Sequence, residues 1–152
     1  MAKNFIFVIF SLTCFCCQQS TDFADFPDNG KAAATIENNV YVGSASLSSR
    51  SMDEFNFKSI NLSLDHSIKI EILSEKFSVG IFSCDPTQPI IFTLISDQES
   101  YYSAKEGILN IKKVTSEQII GEFDVVVHEA TASCMECPET LKQTKGKFNA
   151  IK

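Results

Sequence analysis

The sequence has 152 residues, of which 44% are hydrophobic and 21% charged, and its formal net charge is −6. This composition supplies enough apolar side chains for one folded domain and excludes a disordered tail. A net negative charge without clustered Lys and Arg argues against nucleic acid as a partner. Thirteen Phe residues and no Trp predict a Phe-rich core.

The N-terminal segment has the pattern of an export signal. Lys3 supplies a basic start, residues 5–12 form an apolar run, and polar residues 18–21 follow. The run is shorter than the roughly 20 residues that a transmembrane helix needs, so a cleaved signal is favoured over an anchor helix. We therefore expect an exported protein.

Three cysteines, Cys14, Cys16 and Cys17, follow the apolar run, where a lipoprotein signal peptide places its acylated cysteine. Cys17 is the predicted lipidation site, because the small residue Cys16 precedes it. Cys14 is the second choice, and an ordinary cleaved signal is the alternative to a lipoprotein.

Cleavage before Cys17 divides the chain into three predicted parts. Residues 1–16 are a lipoprotein-type signal peptide, residues 17–30 a polar tether, and residues 31–152 a single β-domain. The tether closes in the turn Asp28-Asn29-Gly30. Because anionic lipid repels an acidic domain, the acyl chains alone would hold it at a membrane.

Short strands are predicted through the rest of the chain. Residues 31–36 and 40–47 are expected to pair around a turn at Asn38-Asn39. A second hairpin is expected between residues 54–64 and the alternating strand 68–72.

Residues 54–64 change parity within the strand. Phe55 and Phe57 share one face, whereas Ile60 and Leu62 lie on the other. A β-bulge near Lys58-Ser59 would allow both sets to face the core, so a bulge is the prediction.

Three further strands are predicted before the last third of the chain. Phe77, Val79 and Ile81 alternate along one strand, and residues 90–95 are a short apolar run. Residues 101–103 are expected to pair beside a strand that begins near Gly107.

The last third carries the clearest strand pattern. Phe123, Val125 and Val127 fall on one face of residues 119–127, which is the period of a half-buried antiparallel strand. Since a short polar turn precedes this strand, residues 107–127 are a predicted β-hairpin. In all, about eight to nine short strands predict an antiparallel β-sandwich or an up-and-down barrel.

Spaced glycines and apolar residues in this third carry a resemblance. The chain shows Gly107-x-Leu109-x-Ile111, then Ile120-Gly121-x-Phe123, then Gly146-x-Phe148. This order resembles small uncharacterised all-β lipoproteins of Gram-negative bacteria. The Asn29-Gly30-Lys31 turn resembles their N-terminal turn, whereas Val125 and Lys145 depart from the pattern. The resemblance implies a β-fold and an address in the cell envelope, and brings no catalytic residues.

Cysteines are the main candidates for chemistry in the mature chain. Cys134 and Cys137 form a C-x-x-C segment, and Cys84 lies elsewhere. In an oxidising envelope we expect a local Cys134–Cys137 disulfide or a bridge from Cys84 to one of them. A thiol-redox function is a weaker hypothesis, because no helix N-terminus is predicted to activate the thiolate.

A zinc site is a further alternative. His128 together with the three cysteines would complete a Cys₃His set, but structural zinc sites usually show two paired-ligand segments and this chain has one. No metal and no cofactor are therefore predicted. His128 is expected on the polar face of its strand.

Glycan binding depends on exposed aromatic rings. Tyr41, Tyr101 and Tyr102 are the weak candidates for a stacking platform, and packing at a sheet edge is the favoured alternative.

Two function classes follow from these observations. The favoured one is a non-enzymatic cell-envelope lipoprotein, on the periplasmic face or the cell surface, whose β-domain binds a protein or glycan partner. The alternative is a carrier of a small apolar ligand inside a barrel, and a thiol-redox protein is a distant third.

Overall fold

A computed structural model describes residues 25–52, 54–65, 67–96, 100–129 and 140–152. Nine strands occupy these ranges, and no helix within them has the length and apolarity needed to cross a bilayer. The all-β prediction is confirmed. The strands are β1 Lys31–Ile36, β2 Asn39–Met52, β3 Phe55–Ser63, β4 Ile68–Ser74, β5 Gly80–Ser83, β6 Ile91–Ser96, β7 Ser100–Val114, β8 Gln118–Glu129 and β9 Leu141–Ile151.

Eight of the strands close into a barrel. Neighbours in the chain are neighbours in the sheet through β1, β2, β3, β4, β6, β7, β8 and β9, and β9 pairs with β1 to complete the ring. Each of these ladders is antiparallel, with one parallel contact between Ser46 and Ile151. β5 lies outside the ring and pairs with β7. Of the two predicted architectures, the up-and-down barrel is the one observed.

From Gly121 to Val127 one face of β8 is buried and the other is half-buried, as the period-two pattern of its sequence predicts. Phe123, Val125 and Val127 are buried inside the barrel, while Glu122 and Asp124 lie half-buried on its outer wall. The predicted hairpin of residues 107–127 is confirmed as the β7–β8 pair, and the second predicted hairpin as the β3–β4 pair.

Two irregularities bend the β7–β8 ladder. Its register shifts between Ala104 and Glu106 and again between Ile111 and Lys113. Gly107 lies just after the first shift with φ of 141°, and a Cβ there would come within 2.6 Å of the Val125 Cα. Such bulges and glycine kinks supply the curvature that a closed barrel requires.

Two glycine–phenylalanine pairs organise the interior between β8 and β9. Gly121 lies opposite Phe148, and Gly146 lies opposite Phe123. Each ring packs over the glycine facing it. The approach is so close that a Cβ on Gly121 would be 2.7 Å from the Phe148 ring. The Phe123 ring also meets Phe92 at 5.3 Å between centroids, and the Phe148 ring at 6.5 Å. The prediction of a Phe-rich core is wrong, because in the part of the chain that the structure describes buried Ile and Leu outnumber the four buried phenylalanines, Phe77, Phe92, Phe123 and Phe148.

The predicted bulge near Lys58-Ser59 is wrong. The β2–β3 register runs without a shift from Ser44–Ser63 to Met52–Phe55. The parity change is instead accommodated by exposure, because Phe55 is 57% exposed and its ring packs against Phe57 on the outer face. These two rings lie on a hairpin tip that extends beyond β4.

Three local predictions need smaller corrections. Phe77 is buried but Val79 and Ile81 are exposed, and the strand there is only the short β5. Residues 101–103 do not form a separate strand beside Gly107, since they belong to the same long β7 and pair with β6. The turn between β1 and β2 lies one residue before its predicted position, at Glu37 and Asn38, both of which have positive φ.

Candidate functional site

The chain approaches the barrel along its outer wall before β1 begins. Residues 25–28, here called the strap, lie against β9. Asn149 donates a hydrogen bond from Nδ2 to the Pro27 carbonyl at 3.0 Å, and Lys147 Nζ lies 3.4 Å from the Asp25 carbonyl. The Lys147 ammonium is also 5.2 Å from the centre of the Phe26 ring. The strap is therefore fixed to the barrel rather than part of a free tether.

The turn after the strap is held by a cluster of three amide side chains, of which Asn149 is buried and Asn29 is exposed. Asn29 Oδ1 accepts hydrogen bonds from Gln118 Nε2 at 2.9 Å and from Asn149 Nδ2 at 3.1 Å. Gly30 donates its N–H to the Asn149 carbonyl at 2.8 Å and has a φ of 73°. The predicted turn at residues 28–30 thus exists, and it joins the strap to both β8 and β9.

A groove of about 1120 Å³ lies between the strap and the outer wall of the barrel. Most of its floor consists of outward-facing side chains that the sheet register places in two transverse rows, and the buried residues Ala32, Ala34 and Phe123 also line it. One row runs from β2 to β7 through Val42, Ala33, Lys147, Glu122 and Asn110, and the next through Val40, Thr35, Lys145, Asp124 and Ile108.

The centre of the groove carries both signs of charge. Lys145 Nζ is 2.7 Å from Asp124 Oδ2, and Gln143 donates to the other oxygen of the same carboxylate. Glu122 Oε1 is 3.0 Å from Lys112 Nζ and accepts a hydrogen bond from Asn110. Because these charges are partly exposed, the pairs stabilise the fold little and remain available to a ligand.

One end of the groove is apolar and open. Val40 is 73% exposed and Val42 is 70% exposed, with Ala33 beside Val42 on β1. Because both valines point outward, they contribute nothing to the packing of the barrel interior. Exposed apolar surface with a polar rim is typical of a binding surface.

The barrel interior contrasts with the groove. The side chains of Phe92 and Phe148 are fully buried and, with Phe123, fill the space between β6, β8 and β9. Thr144 also faces this interior, and its Oγ1 is buried without a hydrogen-bond partner among the described residues.

The three tyrosines proposed as a stacking platform do not share a surface. Tyr102 is buried inside the barrel, with the Lys142 ammonium 4.3 Å from its ring centre. Tyr41 packs partly against the core, and Tyr101 is 50% exposed on the opposite face of β7 from Tyr102. The groove lining contains none of the three.

Of the cysteines singled out from the sequence, Cys84 is described and is a free, fully buried thiol. Burial, with a smaller effect from the neighbouring Asp85 carboxylate, raises the pKa of Cys84 to about 11. Such a thiol is a poor nucleophile. Cys134 and Cys137 lie outside the described residues, as does the predicted lipidation site Cys17, so the local disulfide and the lipid anchor stay predictions.

His128 lies on the outer face of β8 with Glu122 and Asp124, as predicted. In the part of the chain that the structure describes, no three His, Cys, Asp or Glu residues are grouped to hold a metal ion. Two of the hypothesised zinc ligands are outside that part.

The groove residues were not identified from the sequence. The sequence did contain a signal for them, because the outward positions of β8 carry Glu122 and Asp124 and the outward positions of β9 that pair with them carry Lys147 and Lys145.

No model of a known protein family matches the chain, and neither does any curated protein.

Proposed function

We propose that this protein is a non-enzymatic lipoprotein of the cell envelope, and that its barrel binds an extended polypeptide segment in the groove on the outer wall. The export pattern and Cys17 support the envelope address. The barrel supports a binding role, because rigid strands hold the groove side chains at fixed spacing.

One observation carries this proposal. The groove described above lies on the outer wall of the barrel, whereas the rings of Phe92, Phe123 and Phe148 pack against one another on the inside. A carrier of an apolar ligand needs room within the barrel. Packed rings at this position favour the binding module over the carrier.

The groove lining indicates what kind of ligand fits. Val40 and Val42 offer apolar contact, and Lys145 and Asp124 offer one charge of each sign on further strands of the same wall, where neighbouring strands lie about 4.8 Å apart. A polypeptide carries both kinds of group at that spacing. A glycan is favoured less, since sugar rings stack on Trp and Tyr, which the described lining lacks.

Peptide selection on purified protein tests the binding role. Peptides selected from a random library should bind the parent protein, and Val42→Glu should weaken their binding at least tenfold by placing a charge on the apolar end. Val79→Glu is the matched control, because Val79 is similarly exposed but lies outside the groove. Equal loss in both variants, or none in either, would exclude the groove as the site.

The envelope address has its own test. Cells fed radiolabelled palmitate should label the parent protein, whereas Cys17→Ala should remove the label and shift the protein to the soluble fraction. Persistent labelling of Cys17→Ala would assign the acyl chain to another residue.

A further inference from the structure

The strap links the position of the groove to the position of the N-terminus. Asp25 and Asp28 line the groove, and Asn149 and Lys147 bind the strap to β9. The Lys31 N–H also donates to the Asp28 carbonyl at 2.9 Å, which fixes the end of the strap next to β1. An attachment of the chain just before Asp25 therefore also fixes the position of the groove.

The separation between the anchor and the groove has an upper limit. Residues 18–24 alone separate Cys17 from Asp25. Eight residue steps of a fully extended chain span at most about 28 Å. If Cys17 carries the lipid, Asp25 at the edge of the groove can be no farther than this from the membrane surface.

We propose that the groove takes a segment of a second protein held in the same membrane, rather than a ligand that diffuses freely. This inference rests on the proposed binding function and on acylation of Cys17. A short tether confines the groove to the membrane-proximal layer, where it meets anchored partners at high effective concentration.

The charges in the groove favour a polypeptide over the lipid headgroups nearby. Lys31, Lys145 and Lys147 would attract anionic headgroups, but Asp25, Asp28, Glu122 and Asp124 line the same groove. The lining therefore has no excess of positive charge. Anionic lipid gains little at such a site, while a segment carrying both signs of charge can pair with both.

Photo-cross-linking in intact cells tests the inference on the full chain. Benzoylphenylalanine replaces Val42 in the groove or, as the control, Val79 outside it. Each is placed in three backgrounds: the parent, a form with 20 Gly/Ser residues inserted between Thr21 and Asp22, and Cys17→Ala. We expect a Val42 adduct with a membrane protein. Its yield should fall about twofold with the insertion, because the reach of a flexible tether grows as the square root of its length, from 8 to 28 residues, and the groove is then spread over a layer about twice as thick. Cys17→Ala should lower it further.

The other outcomes separate this inference from the proposed function. Equal adduct yields in all backgrounds would show a freely diffusing ligand and refute the inference while leaving the groove as a binding site. Adducts with lipid alone would refute the polypeptide partner, and an unacylated Cys17 by intact mass would remove the anchor. No adduct at Val42 above the Val79 control would refute the binding function as well.

Discussion

Glycine and phenylalanine face each other twice across β8 and β9, and the interior of the barrel depends on these pairs. A strand position without a side chain leaves room for a ring from the next strand, so the rings of Phe148 and Phe123 pack over Gly121 and Gly146. The same Gly-x-Phe spacing carries the resemblance noted in the sequence. In this chain that spacing has a steric role, because it places each glycine opposite a ring of the neighbouring strand.

Gly146→Ala should destabilise the protein by about 1 to 3 kcal/mol, because the new methyl group would lie 2.8 Å from the Ala33 carbonyl and against the Phe123 ring. Adding Phe123→Leu, which removes the ring, should make the two losses less than additive. Urea unfolding of the single and double variants measures both effects. Full additivity would show that ring and glycine do not interact.

Thr144 presents a hydroxyl to the interior without a partner among the described residues. Thr144→Val keeps the shape and removes the unpaired polar atom, so it should raise the free energy of unfolding by about 1 kcal/mol. Thr35→Val, on the outer face of the same barrel end, is the control and should change stability by less than about 0.5 kcal/mol. A loss of stability in Thr144→Val would reveal a hydrogen bond to this hydroxyl.

The buried Cys84 thiol predicts a pH dependence. Its pKa rises from 9.0 to about 11 on folding, so the native state keeps a proton that the unfolded chain releases. The stabilisation is complete below pH 9 and should be lost as the pH rises towards 11, by about 2 to 3 kcal/mol. Cys84→Ala should unfold with a flatter profile between pH 8 and 10.5, since the other titrating groups are shared. Parallel profiles would show that the thiol ionises in the native state.

At the scale of elements, strands with strict alternation were predictable and strands with outward apolar residues were not. From Gly121 to Val127 buried and half-buried residues of β8 alternate, so its buried face and its hairpin followed from the sequence. In β3 the outward Phe55 and Phe57 imitate a second buried face, which led to the bulge that does not exist. Apolar type alone does not show which side of a strand is buried.

A pair of matched substitutions separates these two kinds of phenylalanine. Phe123→Ala should cost about 3 to 5 kcal/mol, because it leaves a cavity in the interior. Phe55→Ala, on the exposed hairpin tip, should cost less than about 1 kcal/mol. The comparison is made by denaturant unfolding at one pH. Equal costs would mean that the tip ring is buried in solution or that the interior is looser than described.

At the scale of the whole molecule, closure and the groove depend on contacts between distant parts of the chain. β9 pairs with β1 across more than a hundred residues, and local periodicity contains no signal for that pairing. The groove is lined by residues from five strands and the strap. These residues are far apart in the sequence, so they form no local motif from which the groove could be predicted. The sequence predicts the strands and their polar faces, whereas the choice of barrel over sandwich and the position of the groove required the structure.

The most direct test of the account is a map of where a ligand binds. A selected peptide is titrated into isotope-labelled Cys17→Ala protein, and the chemical shifts of groove and interior positions are followed by NMR. We predict large changes at Ala33, Val42 and Lys145, with the ring and methyl signals of Phe92 and Val125 unchanged. Changes concentrated at Phe92 and Val125, with Val42 unaffected, would place the ligand inside the barrel and contradict the account.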